Sequence, residues 1–175
     1  MTFSLYAATV PSYLQMLRAM SALIDKADAH CRDNGIDAES FLQARLAEDM
    51  RPFNYQIKST AVHSLGAIEG VRKGSFSPDN TPPPETFGAL KQRLHETSAA
   101  LEAISPDEVN AFIGRDMKFV AGERQLEFTA ENFLLSFSQP NFYFHAATAY
   151  DILRWKGLPI GKRDFMGMPR MKVSQ

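Results

Sequence analysis

Asn132 to Lys156 reads NFLLSFSQPNFYFHAATAYDILRWK, and the fold follows from how this stretch is read. At 100° per residue, Leu134, Asn141, His145, Thr148, Ala149 and Ile152 gather on one side of a helix, while Tyr143, Ala147, Tyr150, Asp151 and Arg154 fall on the other. The inward side mixes apolar, small and polar residues around His145. A face built only to fill a core would be Leu and Ile throughout, because a buried imidazole needs partners for its N–H and its lone pair. Two roles suit His145: a core histidine satisfied by one neighbour, or the wall of a pocket. Pro140 lies inside the pattern, so the helix is expected to kink there or restart at Asn141.

Working outward, the other segments supply helices for this one to pack against. Tyr13, Leu17, Met20, Ile24 and Ala27 share one face of a helix from Ser12 to Cys31, with Pro11 marking its start and Asn34-Gly35 its stop. A second stripe, Leu42, Leu46, Met50, Phe53, Ile57, Ala61, Leu65 and Ile68, survives Pro52 and predicts one long kinked helix from Asp37, ended by Gly70 and Gly74. Lys73 to Glu85, KGSFSPDNTPPPE, is too rich in Pro, Ser and Asn for a regular element and reads as a long crossover loop. Phe87, Leu90, Leu94, Thr97, Leu101 and Ile104 give a third helix in a heptad-like rhythm.

Ser105-Pro106-Asp107-Glu108 carries the cap, the first-turn proline and the Glu three residues on that open a short helix, ended by Gly114. From Met117 to Thr129 the period changes to two, predicting a β-hairpin with Gly122 in the turn. Thr129 is then placed to cap the final helix, with Glu131 in its first turn. After Gly157 the tail reads as irregular, folding back on the bundle through Phe165.

A chain of 175 residues suits one domain, here 1–175, able to bury roughly 70% of its unfolded surface. The single cysteine, Cys31, excludes a disulfide framework and any multi-cysteine metal centre, which fits a reducing compartment. With 19 Lys and Arg against 20 Asp and Glu, nothing in the charge points to nucleic acid or an anionic membrane. The opening residues lack a basic stretch before their apolar ones, and no run approaches the ~20 apolar residues of a spanning helix. The expected setting is the cytoplasm, and the expected partners are small molecules or other proteins.

Four histidines are candidates for chemistry. His95 is expected to face solvent, and His30 suits the negative end of a helix dipole. His63 belongs with Gln56, Thr60 and Ala67 to a small, polar stripe of the kind that lines a cavity, although ideal periodicity sets it roughly 125° from the centre of the apolar stripe, where a place at a helix boundary suits it equally. Motifs for zinc proteases, di-iron proteins, serine hydrolases and nucleotide binding are absent. The basic tail residues Lys162, Arg163, Arg170 and Lys172 are a further candidate, for a phosphate.

A second helix bearing a His, a long crossover, and a last helix reading PNFYFHAATAYDILRWKG followed by IGKRDFMG together resemble the DinB-like four-helix-bundle superfamily of metalloenzymes. The likeness is sharpest to one of its bacterial branches of unknown function. In better-characterised relatives one His on the second helix and a pair four residues apart on the last hold a divalent metal. The resemblance places His63 and His145 at two of those positions; the residue four after His145 is Ala149, which has no ligating side chain.

The expected fold is therefore all-α, a four-helix bundle with a small β-hairpin inserted before the last helix. The expected function is binding of a small molecule in an internal pocket lined by His63, His145, Gln56, Thr60, Asn141 and Thr148. No cofactor is expected, since two imidazoles leave a catalytic zinc one protein ligand short. The alternative is a metal-dependent small-molecule transferase or hydrolase using zinc or nickel, with His63 and His145 as ligands. Tyr143, Tyr150 and Arg154 on the outer face of the last helix predict a homodimer.

Overall fold

The first helix, α1 (Leu5–Asp33), begins a full turn and more before Pro11, which lies inside it. Ser4 supplies the cap by accepting the Ala7 N–H at 3.2 Å. The proline marks no start here: it leaves the Ala7 carbonyl in the first turn without its usual donor, while Gln139 Nε2 donates to the neighbouring Ala8 carbonyl at 3.0 Å. Tyr13, Leu17, Met20, Ile24 and Ala27 are all buried, as the stripe predicts. The computed structural model describes residues 4–172, so the extremes of the opening stretch and of the tail lie outside it.

The long second helix is instead two separate pieces. A single turn, α2 (Glu39–Leu42), is followed by an irregular excursion, and α3 (Phe53–Ala61) starts afresh with Pro52 as its extended N-cap. Proline disfavours helix in the residue before it, and Leu46, counted in the stripe, is 42% exposed. The Phe53 N–H closes the excursion on the Ala44 carbonyl at 2.9 Å. Beyond Ala61 the helix widens into a π turn (Val62–Gly66) and continues as α4 (Ala67–Lys73).

Gly74, at φ 76°, ends α4 in the left-handed conformation. Gly70 does not end it. A Cβ there would lie 3.0 Å from Phe76 Cβ and 3.3 Å from the Ser75 carbonyl, so its role is to let the following strand lie close. That strand, β1 (Ser75–Phe76), falls in the stretch read as pure loop and pairs parallel with β2 (Asp116–Ala121). β2 and β3 (Arg124–Thr129) form the expected antiparallel hairpin, with Gly122 at φ 61° in its turn.

α5 (Phe87–Glu102) is capped by Thr86 and buries Phe87, Leu90, Leu94, Thr97 and Leu101. α6 (Pro106–Asn110) opens on Ser105, whose hydroxyl accepts the Glu108 N–H. The last helix runs without a break through α7 (Ala130–Asn132), a second π turn (Phe133–Ser138) and α8 (Gln139–Trp155). The π turn directly precedes Pro140, which thereby becomes an early residue of α8 rather than an interior breaker. Thr129 holds the cap position without a side-chain bond; the Glu131 carboxylate accepts the Gly114 N–H at 2.9 Å. The tail forms a short α9 (Lys162–Met166), and Phe165 anchors it edge-on to Tyr150, centroids 5.6 Å apart.

The protein is a four-helix bundle of α1, α3 with α4, α5 and α8, in which α1 packs on α5 and α3 on α8, with the small sheet against one end. No helix among the described residues is long and apolar enough to cross a membrane.

Candidate functional site

The contact between α3 and α8 places the two inward histidines together. His63 sits inside the first π turn and His145 on α8, just past the second π turn and Pro140. Their rings lie 5.6 Å apart, centroid to centroid, 19° from parallel. They border a cavity of about 220 Å³ that also takes in Asn141. Its walls are aromatic: Tyr55 on α3, Phe76 on β1, Phe119 on β2 and Phe137 on the π turn.

The hydrogen bonds around His145 fix its tautomer. Gln56 Nε2 donates to the Arg51 carbonyl at 2.8 Å, so its other amide atom, Oε1, faces His145 Nδ1 at 2.7 Å. That oxygen can only accept, so Nδ1 carries the proton and Nε2 keeps its lone pair. The same logic holds for His63 over a longer contact. The Ser138 hydroxyl donates to the His63 carbonyl at 3.0 Å, which leaves Ser138 Oγ as the acceptor facing His63 Nδ1 at 3.4 Å. Asn141 Nδ2 donates to the Phe137 carbonyl at 2.7 Å, and its Oδ1 takes no hydrogen bond among the described residues.

Burial, and for His63 the neighbouring His145, lowers the affinity of both rings for a second proton, bringing each pKa down from 6.5 to about 4. Both are neutral at neutral pH, with Nδ1 committed and Nε2 an acceptor.

One wall of the cavity comes from the proline-rich crossover, through Pro78 and Asp79. A buried cation fastens it. Lys58, on α3 with a side chain 1% exposed, donates to the Asp79 and Thr81 carbonyls and lies 3.0 Å from Asp79 Oδ1. Arg93 reaches the other carboxylate oxygen at 3.2 Å. Burial alone would raise the Asp79 pKa, but hydrogen bonds from Thr81 and Lys58, with the charge of Lys58, hold it down at about 2.

Of the six residues expected to line the pocket, His63, His145 and Asn141 border the cavity, and Gln56 stands behind His145. Thr60 and Thr148 do not border it. The Thr60 hydroxyl bonds back to the Ile57 carbonyl at 2.7 Å, and the π turn that begins at Val62 rotates His63 away from the register that ideal counting gives it with Thr60. Thr148 is buried one turn further along α8. Sequence reasoning missed Tyr55, Phe76, Phe119 and Phe137. The hairpin alternation carried a signal for Phe119, but nothing periodic marked Phe76 or Asp79.

The arrangement does not complete a metal shell. Among the described residues no three His, Cys, Asp or Glu side chains are grouped to hold an ion. The position one turn beyond His145 is Ala149, 1% exposed, and Asn141 offers only a neutral oxygen. Two imidazoles are one short of the three protein ligands usual at a catalytic zinc.

The outer face expected to pair two copies is reduced in the same structure. Tyr143 is 38% exposed and the adjacent Phe144 55%, but Tyr150 packs on Phe165 and Arg154 donates to the Leu158 carbonyl.

No protein of curated function matches this chain. Among solved structures it is similar to a DinB family member protein from Shewanella denitrificans, at 27% identity and a TM-score of 0.80, covering 97% of this chain and 96% of that one. The sequence profile of a domain of unknown function, DUF1993, matches residues 5–166. That match takes in every helix of the bundle, and the chain belongs to the DUF1993 family, built on a DinB-like fold.

Proposed function

We propose that this protein binds a small, neutral, hydrogen-bond-donating molecule between His63 and His145, without a tightly held metal of its own. One observation carries the reading: the Gln56 amide, pinned by the Arg51 carbonyl, commits His145 Nδ1 and leaves Nε2 as an acceptor beside a second neutral imidazole. A ligand O–H or N–H answers two such acceptors and the Asn141 oxygen, and the aromatic walls take its apolar body. At about 220 Å³ the cavity is smaller than the roughly 300 Å³ at which drug-sized sites begin, so the fitting class is a single ring or a short chain. A base with a pKa of about 4 is a weak proton acceptor at neutral pH, which favours holding a donor over removing its proton.

A screen of monocyclic fragments observed by NMR tests this. Fragments with O–H or N–H donors are expected to shift the His63 and His145 ring resonances, and to lose that effect in a His145→Ala variant. Hits confined to other surfaces would overturn the reading. So would stoichiometric zinc or nickel in protein purified without added metal, lost in the same variant. That result would move the balance to the second reading, a metal-dependent transferase or hydrolase, which one observation favours: the Oδ1 of Asn141 stands at the same cavity as both imidazoles.

A further inference from the structure

A second concave site lies away from the histidines, between α1 and the tail, and is the larger of the two at about 480 Å³. Its floor is apolar: Pro11, Leu14, Ala19, Ala22 and Leu23 of α1, with Met168 of the tail beside them. The tail is tied to α1 by polar tethers. Gln15 Nε2 donates to the Met166 carbonyl at 2.9 Å, Lys26 pairs with Asp164, and Arg170 donates to the Ser12 hydroxyl at 3.2 Å. At Gly167, φ 60°, the tail comes so near that a Cβ would lie 3.1 Å from Ala19 Cβ. Between these tethers Ala22 is exposed and Pro11 and Leu14 are half-buried, over the buried Ala19 and Leu23, and Met168 is left 78% exposed at the edge.

The rim is basic in a chain whose net charge is −1. Arg18, Lys26, Arg163 and Arg170 line it against one acid, Asp164. Two of the four cations are neutralised, Lys26 by Asp164 and Arg18 by Glu102 at 2.7 Å. Arg163 has no side-chain hydrogen bond or ion pair among the described residues, and Arg170 touches only the Ser12 hydroxyl. Two guanidiniums with no carboxylate partner among the described residues therefore stand at the edge of an apolar trough.

We infer that this trough binds a single-chain acyl carboxylate. The alkyl chain lies on the α1 floor under Met168, whose unbranched thioether adapts to an irregular apolar partner. The carboxylate meets the forks of Arg163 and Arg170, whose geometry matches its two oxygens. The volume falls within the roughly 300–1,000 Å³ of small-molecule sites. Two of the four basic residues singled out in the tail, Arg163 and Arg170, acquire a role in this way; Lys162 and Lys172 do not line the trough.

Titration of the full-length protein with decanoate, decanol and decyltrimethylammonium, by calorimetry and methyl NMR, tests the assignment. Decanoate is expected to bind once per chain, shifting the Ala19, Ala22 and Met168 methyls, and at least about tenfold more tightly than decanol or the ammonium. The Arg163→Gln, Arg170→Gln double variant should bring decanoate down to the level of decanol, and Ala22→Trp, which fills the trough from an exposed position, should remove all three. No decanoate binding at millimolar concentration overturns the inference. Equal affinity for acid and alcohol, an unchanged double variant, or shifts centred on Phe119 and Phe137 in the histidine cavity overturn it equally.

Discussion

Mild acid should destabilise this protein through His63 and His145. Each imidazole titrates near 6.5 when unfolded and near 4 when folded, so between those values the unfolded chain binds more protons. Stability from both rings is fully present above pH 6.5 and is lost as pH falls toward 4. At about pH 5 the unfolded imidazole is almost wholly charged and the folded one almost wholly neutral, a difference of about 2 kcal/mol per ring and about 4 for the pair. Asp79 does not contribute in this window: its folded pKa of about 2 lies below its unfolded value of 3.8, so its share is lost only below that. Urea unfolding at about pH 7.5 and about pH 5 measures the loss directly. His63→Gln and His145→Gln each remove one titrating ring, while the amide can still donate toward Ser138 or Gln56, so each variant should show about half the pH dependence. A loss below about 1 kcal/mol in the natural chain, or equal pH dependence in all three proteins, would refute the claim that both rings are held neutral by burial.

Lys58→Met removes the cation that fastens the crossover and leaves Asp79 and two carbonyls without it; a loss of about 3 kcal/mol and faster proteolysis within residues 77–86 are expected, and an unchanged urea midpoint would contradict the buried tether. Gly70→Ala puts a Cβ 3.0 Å from Phe76, and should cost about 1–3 kcal/mol by overpacking the wall of the cavity, read by thermal unfolding. Ala149→His enters a position 1% exposed, so the metal-free variant should lose about 1–3 kcal/mol, with a zinc-dependent rise in melting temperature that the natural chain lacks; no such rise in the variant would mean that the missing ligand is not what limits metal binding. We also propose a homodimer through the exposed Tyr143 and Phe144 of α8, and a monomer by light scattering at micromolar concentration would exclude it.

Much of the fold was legible because buried stripes at helical spacing carry their own signal: Tyr13 to Ala27, Phe53 to Ile68 and Phe87 to Ile104 face the core as read. Prolines and glycines were less legible, because each has more than one use. Pro11 looked like a start and lies inside α1, while Pro52 looked like a kink and begins a new helix. Gly74 ends α4 by its positive φ, yet Gly70, four residues earlier, serves a close strand contact that no local pattern announces. The resemblance rather than helix counting paired His63 with His145, and Thr60 could not be excluded because the π turn that follows it changes the angular step by an amount that sequence spacing does not reveal. Phe76 and Asp79 come from a segment without periodicity, and only the parallel pairing of β1 with β2 brings Phe76 to the cavity.

The two sides of the histidine cavity are held by different means, and the difference bears on how a ligand gets in. On the helical side each ring is fixed from behind, His145 by Gln56 and the Arg51 carbonyl, His63 by Ser138, whose hydroxyl also grips the His63 carbonyl across two facing π turns. Moving either ring breaks its bond to Gln56 or to Ser138. On the other side Pro78 and Asp79 are tied down through side-chain contacts of Lys58, Arg93 and Thr81. Pro78 is exposed. A loop edge held by side chains opens at lower cost than a helix packed along its length, so under the function proposed above a ligand entering past Pro78 and Asp79 would leave both imidazoles in place. Substitutions on the crossover should then alter the rate at which a ligand enters and leaves, while substitutions at Gln56 or Ser138 should alter how well the rings hold it.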